Sequence, residues 1–140
     1  MMSSVLSEYS AAFAADKLGE DFLTYYSVRP DKSFESITYT RGEFQALALK
    51  AAHVIDSSGL VAGACHTHFF SKNTVGDLAF RLASVMLGTV PVTINWQSDT
   101  PERVLFKLSL TDSLLMVVDD GTPKDVIAMC VDGISTADAK

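Results

Sequence analysis

The chain has 140 residues, enough for one domain with a sizeable core, and 48% of them are apolar, which excludes a disordered chain. With 17 acidic against 11 basic residues the net charge is −6, and no basic cluster or basic helix face appears. That argues against a nucleic-acid partner and an anionic-membrane surface.

The first residues, MMSSVLSEYSAAFAADKLGE, have no basic n-region, no continuous apolar core and no arginine. Neither a secretory signal nor a transit peptide is expected, and a cytoplasmic location is the default. Within this stretch Val5, Leu6, Tyr9, Ala12 and Phe13 recur at helical spacing, with Ser4 as N-cap and Gly19 as the stop. Asp21 to Arg29 and Phe34 to Tyr39 read as two strands joined by a Pro30-Asp31-Lys32-Ser33 turn, which predicts a hairpin. Thr40-Arg41-Gly42-Glu43 is a capping box, in which each side chain can satisfy the other residue's backbone N–H. Phe44, Leu47, Ala48, Ala51, Val54 and Ile55 then form one apolar helix face, and Ser57-Ser58-Gly59 closes it.

From Gly63 to Asn95 the order is strand, helix, strand. Ala64 to Phe70 is an extended run, Thr74 to Leu87 is an amphipathic helix ended by Gly88, and Thr89 to Asn95 is a second strand. Parallel strands require such a crossover, so this is a βαβ unit. Thr100-Pro101-Glu102 opens another helix with Val104, Leu105 and Leu108 inward. Ser113–Val118 reads as a third strand, Asp119 to Pro123 as a turn, and Val126–Val131 as a last short strand. Residues 132–140 have turn-like composition and are expected to be an irregular tail. The sum is an α/β fold: a mostly parallel sheet with βαβ crossovers in Rossmann-like layers, preceded by an N-terminal helix and a β-hairpin. One domain is expected to span residues 1–140. No apolar run approaches the ~20 residues needed to cross a bilayer, so no membrane span is expected.

Two features could carry chemistry. His66 and His68 point to one side of their strand, because side chains alternate with period two. A metal site would need further ligands, His53 among the candidates, and no HExxH or CxxC accompanies them; the plainer reading is a pair of histidines hydrogen-bonded beneath a helix. Ser71, Lys72, Asn73 and Thr74 lie where a strand's carboxyl end meets a helix N-terminus, a place that favours anions. Neither GxxxxGK[ST] nor GxGxxG occurs in the chain, so this is not a phosphate loop; Ser71 and Asn73 are more simply explained as helix caps. Cys65 and Cys130, both placed on predicted strands, read as small core residues of a reducing compartment.

Thr38-Tyr39 with Glu43-Phe44, the glycines at 59 and 63, the strand leading to Asn73, and LGTVPVTIN from Leu87 to Asn95 follow one pattern. Together with Thr100-Pro101-Glu102 and the apolar strand before Asp119, this run resembles the N-terminal portion of the adenylate-forming (AMP-binding) enzymes, which include acyl-CoA synthetases. The sequence departs from that pattern at Ala64, where the family has Asp, and at His66 and His68 in a usually aliphatic strand. The resemblance implies a parent reaction: ATP-Mg activates a carboxylic acid to an acyl-adenylate, often followed by transfer to CoA. The family's phosphate loop and its later catalytic motifs have no counterpart here, so no catalytic residue is assigned. ATP, Mg and CoA are implied only for a full-length parent enzyme. The expected partner is the remainder of an adenylation enzyme, or a second copy of the chain; a stand-alone α/β module that binds a small ligand is the remaining alternative.

Overall fold

The computed structural model describes residues 4–137, with side chains described from Val5 to Asp132. The elements are α1 (Ser4–Ala12), β1 (Asp21–Val28), β2 (Phe34–Thr40), α2 (Arg41–Ser57), β3 (Cys65–Phe69), α3 (Val75–Leu87), β4 (Val90–Thr93), α4 (Pro101–Leu110), β5 (Met116–Val118) and α5 (Lys124–Ala137). The strands form two sheets: an antiparallel β1–β2 pair, and a parallel three-stranded sheet in the order β4-β3-β5. The expected α/β fold, with its crossovers and its preceding helix and hairpin, is what the chain adopts.

Helix starts follow from local chemistry. At α2, the Glu43 N–H donates to Thr40 Oγ1 at 3.2 Å while Glu43 Oε2 accepts from the Thr40 N–H at 2.9 Å, which closes the capping box. Thr74 accepts from the Asp77 N–H to start α3, and Thr100 accepts from the Arg103 N–H to start α4 with Pro101 at its first position. Gly88 ends α3 with φ of 68°, a left-handed conformation that a Cβ disfavours.

Four expectations are corrected. Val126–Val131 is not a strand but part of α5, and residues 132–137 continue that helix instead of forming a tail; residues 138–140 lie outside the described residues. Val126 and Cys130, four residues apart, are both buried, which is helical spacing. Cys130 therefore sits on a helix, not a strand. Finally, α1 ends at Ala12, well before Gly19, with a 3₁₀ turn at Ala15–Lys17 between them. The Ser4 cap lies outside the described side chains.

Two apolar layers flank the parallel sheet. Ala51, Ala52 and Ile55 of α2 meet Ala79 and Ala83 of α3 on one side. Phe69, Ile94, Val104, Leu108, Val126 and Cys130 fill the other, beneath α4 and α5. Strand β3 serves both layers by alternation: Phe69 faces α4 and α5, while His66 and His68 face α3. Among the described residues no helix is long and apolar enough to cross a membrane.

Candidate functional site

Strand β3 is central. The chain leaves it through α3 to reach β4 on one side, then returns through α4 to β5 on the other. The two crossovers pack against opposite layers, so the loops after β3 and β4 part from one another. Open α/β sheets form a crevice at such a switch point. Here it is a cavity of about 360 Å³. Its walls are His68 on β3 with Phe70, Lys72 and Asn73 after it, Asp77 and Arg81 from α3, and the segment Thr93–Gln97 from the last residue of β4 onward.

The residues singled out in the sequence are divided among several tasks. Lys72 and Asn73 line the crevice, and no ion-pair partner for Lys72 is found among the described residues. The Asn73 carbonyl accepts a hydrogen bond from the Tyr25 hydroxyl at 3.0 Å, which fastens the hairpin to the crevice loop. Thr74 is occupied as the α3 cap. Ser71 is neither a cap nor part of the crevice; it points into a second cavity on the α4–α5 side. There its N–H and hydroxyl both donate to Asp119, at 3.1 and 3.0 Å. The Thr122 hydroxyl lies 3.0 Å from Asp119 Oδ1 and donates to the Phe69 carbonyl, while the Gly121 N–H donates to Asp119 Oδ1. Burial pushes the Asp119 carboxyl up, yet these bonds from Ser71, Thr122 and Gly121 outweigh it and leave the group below its ordinary range. Glycine is required at 121, because a Cβ there would stand 2.1 Å from Ser71 Oγ.

His66 and His68 are fully buried and joined in one polar string. His68 Nε2 lies 2.9 Å from His66 Nδ1. His66 Nε2 lies 2.9 Å from Ser84 Oγ and 3.1 Å from Thr89 Oγ1, and His68 Nδ1 lies 3.3 Å from Asp77 Oδ1. Arg81 completes the string at 2.9 Å from the second Asp77 oxygen. All four ring nitrogens are thus engaged within the protein, and among the described residues no group of three or more His, Cys, Asp or Glu could hold a metal. His53 stands apart, exposed on α2. Burial, followed by the neighbouring His68 charge, lowers the His66 pKa from 6.5 to about 4. The His68 hydrogen bond, reinforced by Arg81 and opposed by burial, holds the Asp77 carboxyl below its usual range. Asp77, Arg81, Ser84 and Thr89 were not singled out from the sequence. Asp77 alone had a local signal there, standing three residues after the Thr74 cap and four before Arg81.

No protein-family description matches the sequence, and no curated protein matches it. Solved structures do. The N-terminal domain of FACL13 from Mycobacterium tuberculosis superposes with a TM-score of 0.67 at 23% identity, over 91% of this chain and 30% of that one. ATP-bound MatB from Rhodopseudomonas palustris gives 0.61 at 21% identity, over 88% of this chain and 23% of that one. A fatty acyl-CoA synthetase from M. tuberculosis gives 0.59 at 21% identity, over 97% and 23%. The chain has the N-terminal fold of the acyl-CoA synthetases. This synthetase-like chain spans between 19% and 30% of the length of such structures. Lys72 and Trp96 both line its crevice. Asp77, the crevice's one carboxylate among the described residues, is shared by Arg81 and His68.

Proposed function

We propose that this chain is the N-terminal scaffold section of an acyl-CoA synthetase-like ligase, one that activates a carboxylic acid with ATP and passes it to CoA. The observation that carries this reading is the superposition over 88–97% of the chain onto enzymes several times longer. The remainder of such an enzyme is the partner it is built to meet, in a reducing cytoplasm where Cys65 and Cys130 stay as thiols. Its share of the work is to position the ends of β3 and β4, with Lys72 and Asn73 offered to an anionic group at the crevice. The transfer itself needs a loop of backbone amides and several free cations around the phosphates, and among the described residues the crevice offers Lys72 and no glycine-rich loop. By itself the chain is therefore catalytically silent. Incubated with ATP, Mg and a panel of carboxylic acids, it is expected to show no exchange of labelled pyrophosphate into ATP. Exchange above a no-protein control would overturn the proposal.

One observation favours a second reading, a self-associating α/β module. The hairpin pairs with no third strand among the described residues, and Tyr26, Val28 and Phe34 lie on one face of it, 60%, 75% and 68% exposed. A two-stranded sheet is marginal until something covers it. Light scattering across a concentration series is expected to show a mass rising above 15.1 kDa, and Tyr26→Ser with Phe34→Ser is expected to reduce it. A constant monomer mass at high concentration removes this reading.

A further inference from the structure

The string of hydrogen bonds from Thr89 to Arg81 admits two proton counts, and the hydroxyl groups at its inner end decide which. The Ser84 hydroxyl is committed, since it donates to the Phe80 carbonyl at 2.8 Å and can only accept from His66. Thr89 makes no such commitment and can donate. With both rings neutral, Thr89 donates to His66 Nε2, His66 Nδ1–H donates to His68 Nε2, and His68 Nδ1–H donates to Asp77. Every ring nitrogen is then matched, but Ser84 faces a lone pair. Adding one proton from solvent places N–H on His66 Nε2, which now donates to Ser84, while the central bond and the Asp77 bond persist. Adding a second would set two N–H groups against each other across 2.9 Å.

We propose that the His66–His68 pair is a one-proton switch in the wall of the crevice, which moves the inner hydrogen bond between Thr89, just past the end of α3, and Ser84 on α3. The singly protonated form fastens α3 to β3 at two points, Asp77 and Ser84, two helical turns apart. The neutral form keeps only the Asp77 end on α3 and transfers the other to the residue before β4. The crevice wall contains His68 and Asp77, so in the protonated form the added positive charge sits on His66, one ring behind that wall. Strand β3 supplies the two rings, α3 supplies Asp77 and Arg81, and Lys72 stands on the crevice side. The α2 face of this layer is Ala51, Ala52 and Ile55, with His53, Lys50 and Asp56 exposed, and the segment entering β4 contributes only the Thr89 hydroxyl.

The test is a histidine titration of the full chain by NMR between pH 8 and the onset of acid unfolding, reading the ring nitrogen shifts. His53, exposed and remote, serves as the reference among the three histidines. The pair is expected to take up one proton in total, with a single midpoint read at the His66 ring nitrogens. Ser84→Ala removes the acceptor that the protonated form needs and is expected to lower that midpoint by about half a pH unit or more. Thr89→Val removes the donor that the neutral form needs and is expected to raise it by a similar amount. Fluorescence of Trp96, the only tryptophan and a crevice residue, is expected to follow the same midpoint. Two separate midpoints in the wild-type chain, no uptake over the range, or displacement of both variants in one direction would each overturn the switch. Should a variant fail to fold, the single midpoint and proton count of the wild-type chain decide.

Discussion

Acidification from pH 7 to pH 4 is expected to remove on the order of 3 kcal/mol of stability through His66 alone. The buried ring has its pKa lowered from 6.5 to about 4, so the unfolded chain binds that proton more tightly than the folded one. The stabilisation is complete above pH 6.5, falls as the pH drops through the window, and is fully lost near pH 4. Asp77 and Asp119, also held below their ordinary range, act in the same sense but only below about 3.8. Urea unfolding midpoints measured at half-unit steps separate the two contributions. His66→Gln, which cannot titrate, is expected to flatten the curve between pH 6.5 and 4 while leaving the steep fall below 4. A variant curve parallel to the wild type throughout would place the acid sensitivity elsewhere.

The second large effect is expected at Asp119. This carboxylate gathers the Ser71 N–H, the Ser71 hydroxyl and the Gly121 N–H, and it stands 3.0 Å from the Thr122 hydroxyl. The cluster joins the carboxyl end of β3 to that of β5, where the sheet has only a three-residue strand. Replacing it by alanine leaves several donors in a part-buried place without an acceptor, and bonds to charged groups are each worth about 1.5–3 kcal/mol. A loss of roughly 3 kcal/mol is expected for Asp119→Ala and less for Asp119→Asn, which keeps an acceptor oxygen. Thermal unfolding checks both. An alanine variant within about 0.5 kcal/mol of wild type would mean that water replaces the carboxylate.

The part of this fold that was legible in the sequence was the part written in near neighbours. Thr40, Thr74, Thr100 and Gly88 all stand where their side chains or dihedrals predict, because a cap depends on three or four successive residues. The same logic, applied once more, reads α5: Thr122-Pro123 followed by Asp125 resembles the Thr100-Pro101-Glu102 start of α4. A short run such as Val126–Val131 has no period of its own long enough to separate strand from helix.

The candidate site was less legible, for a different reason. Alternation placed His66 and His68 on one face, and the resemblance marked them as unusual there. Their partners come from 9 to 23 residues away, on a helix and in the turn that follows it. The strand order β4-β3-β5, which creates the crevice between the loops after β3 and β4, is also a property of the assembled sheet. Ser71 shows how far this reaches. It is adjacent to Lys72, yet the acceptor that claims it lies 48 residues away, and the two residues face different cavities.

The Tyr25 hydroxyl's bond to the Asn73 carbonyl gives the hairpin a mechanical meaning. Tyr25 and Tyr26 are neighbours on β1, so one points inward to the crevice loop and the other outward to solvent. Whatever presses on Tyr26, Val28 and Phe34 pushes on a lever whose short arm ends beside Lys72. Covering the hairpin would stiffen the mouth of the crevice from outside, without any contact to the crevice itself.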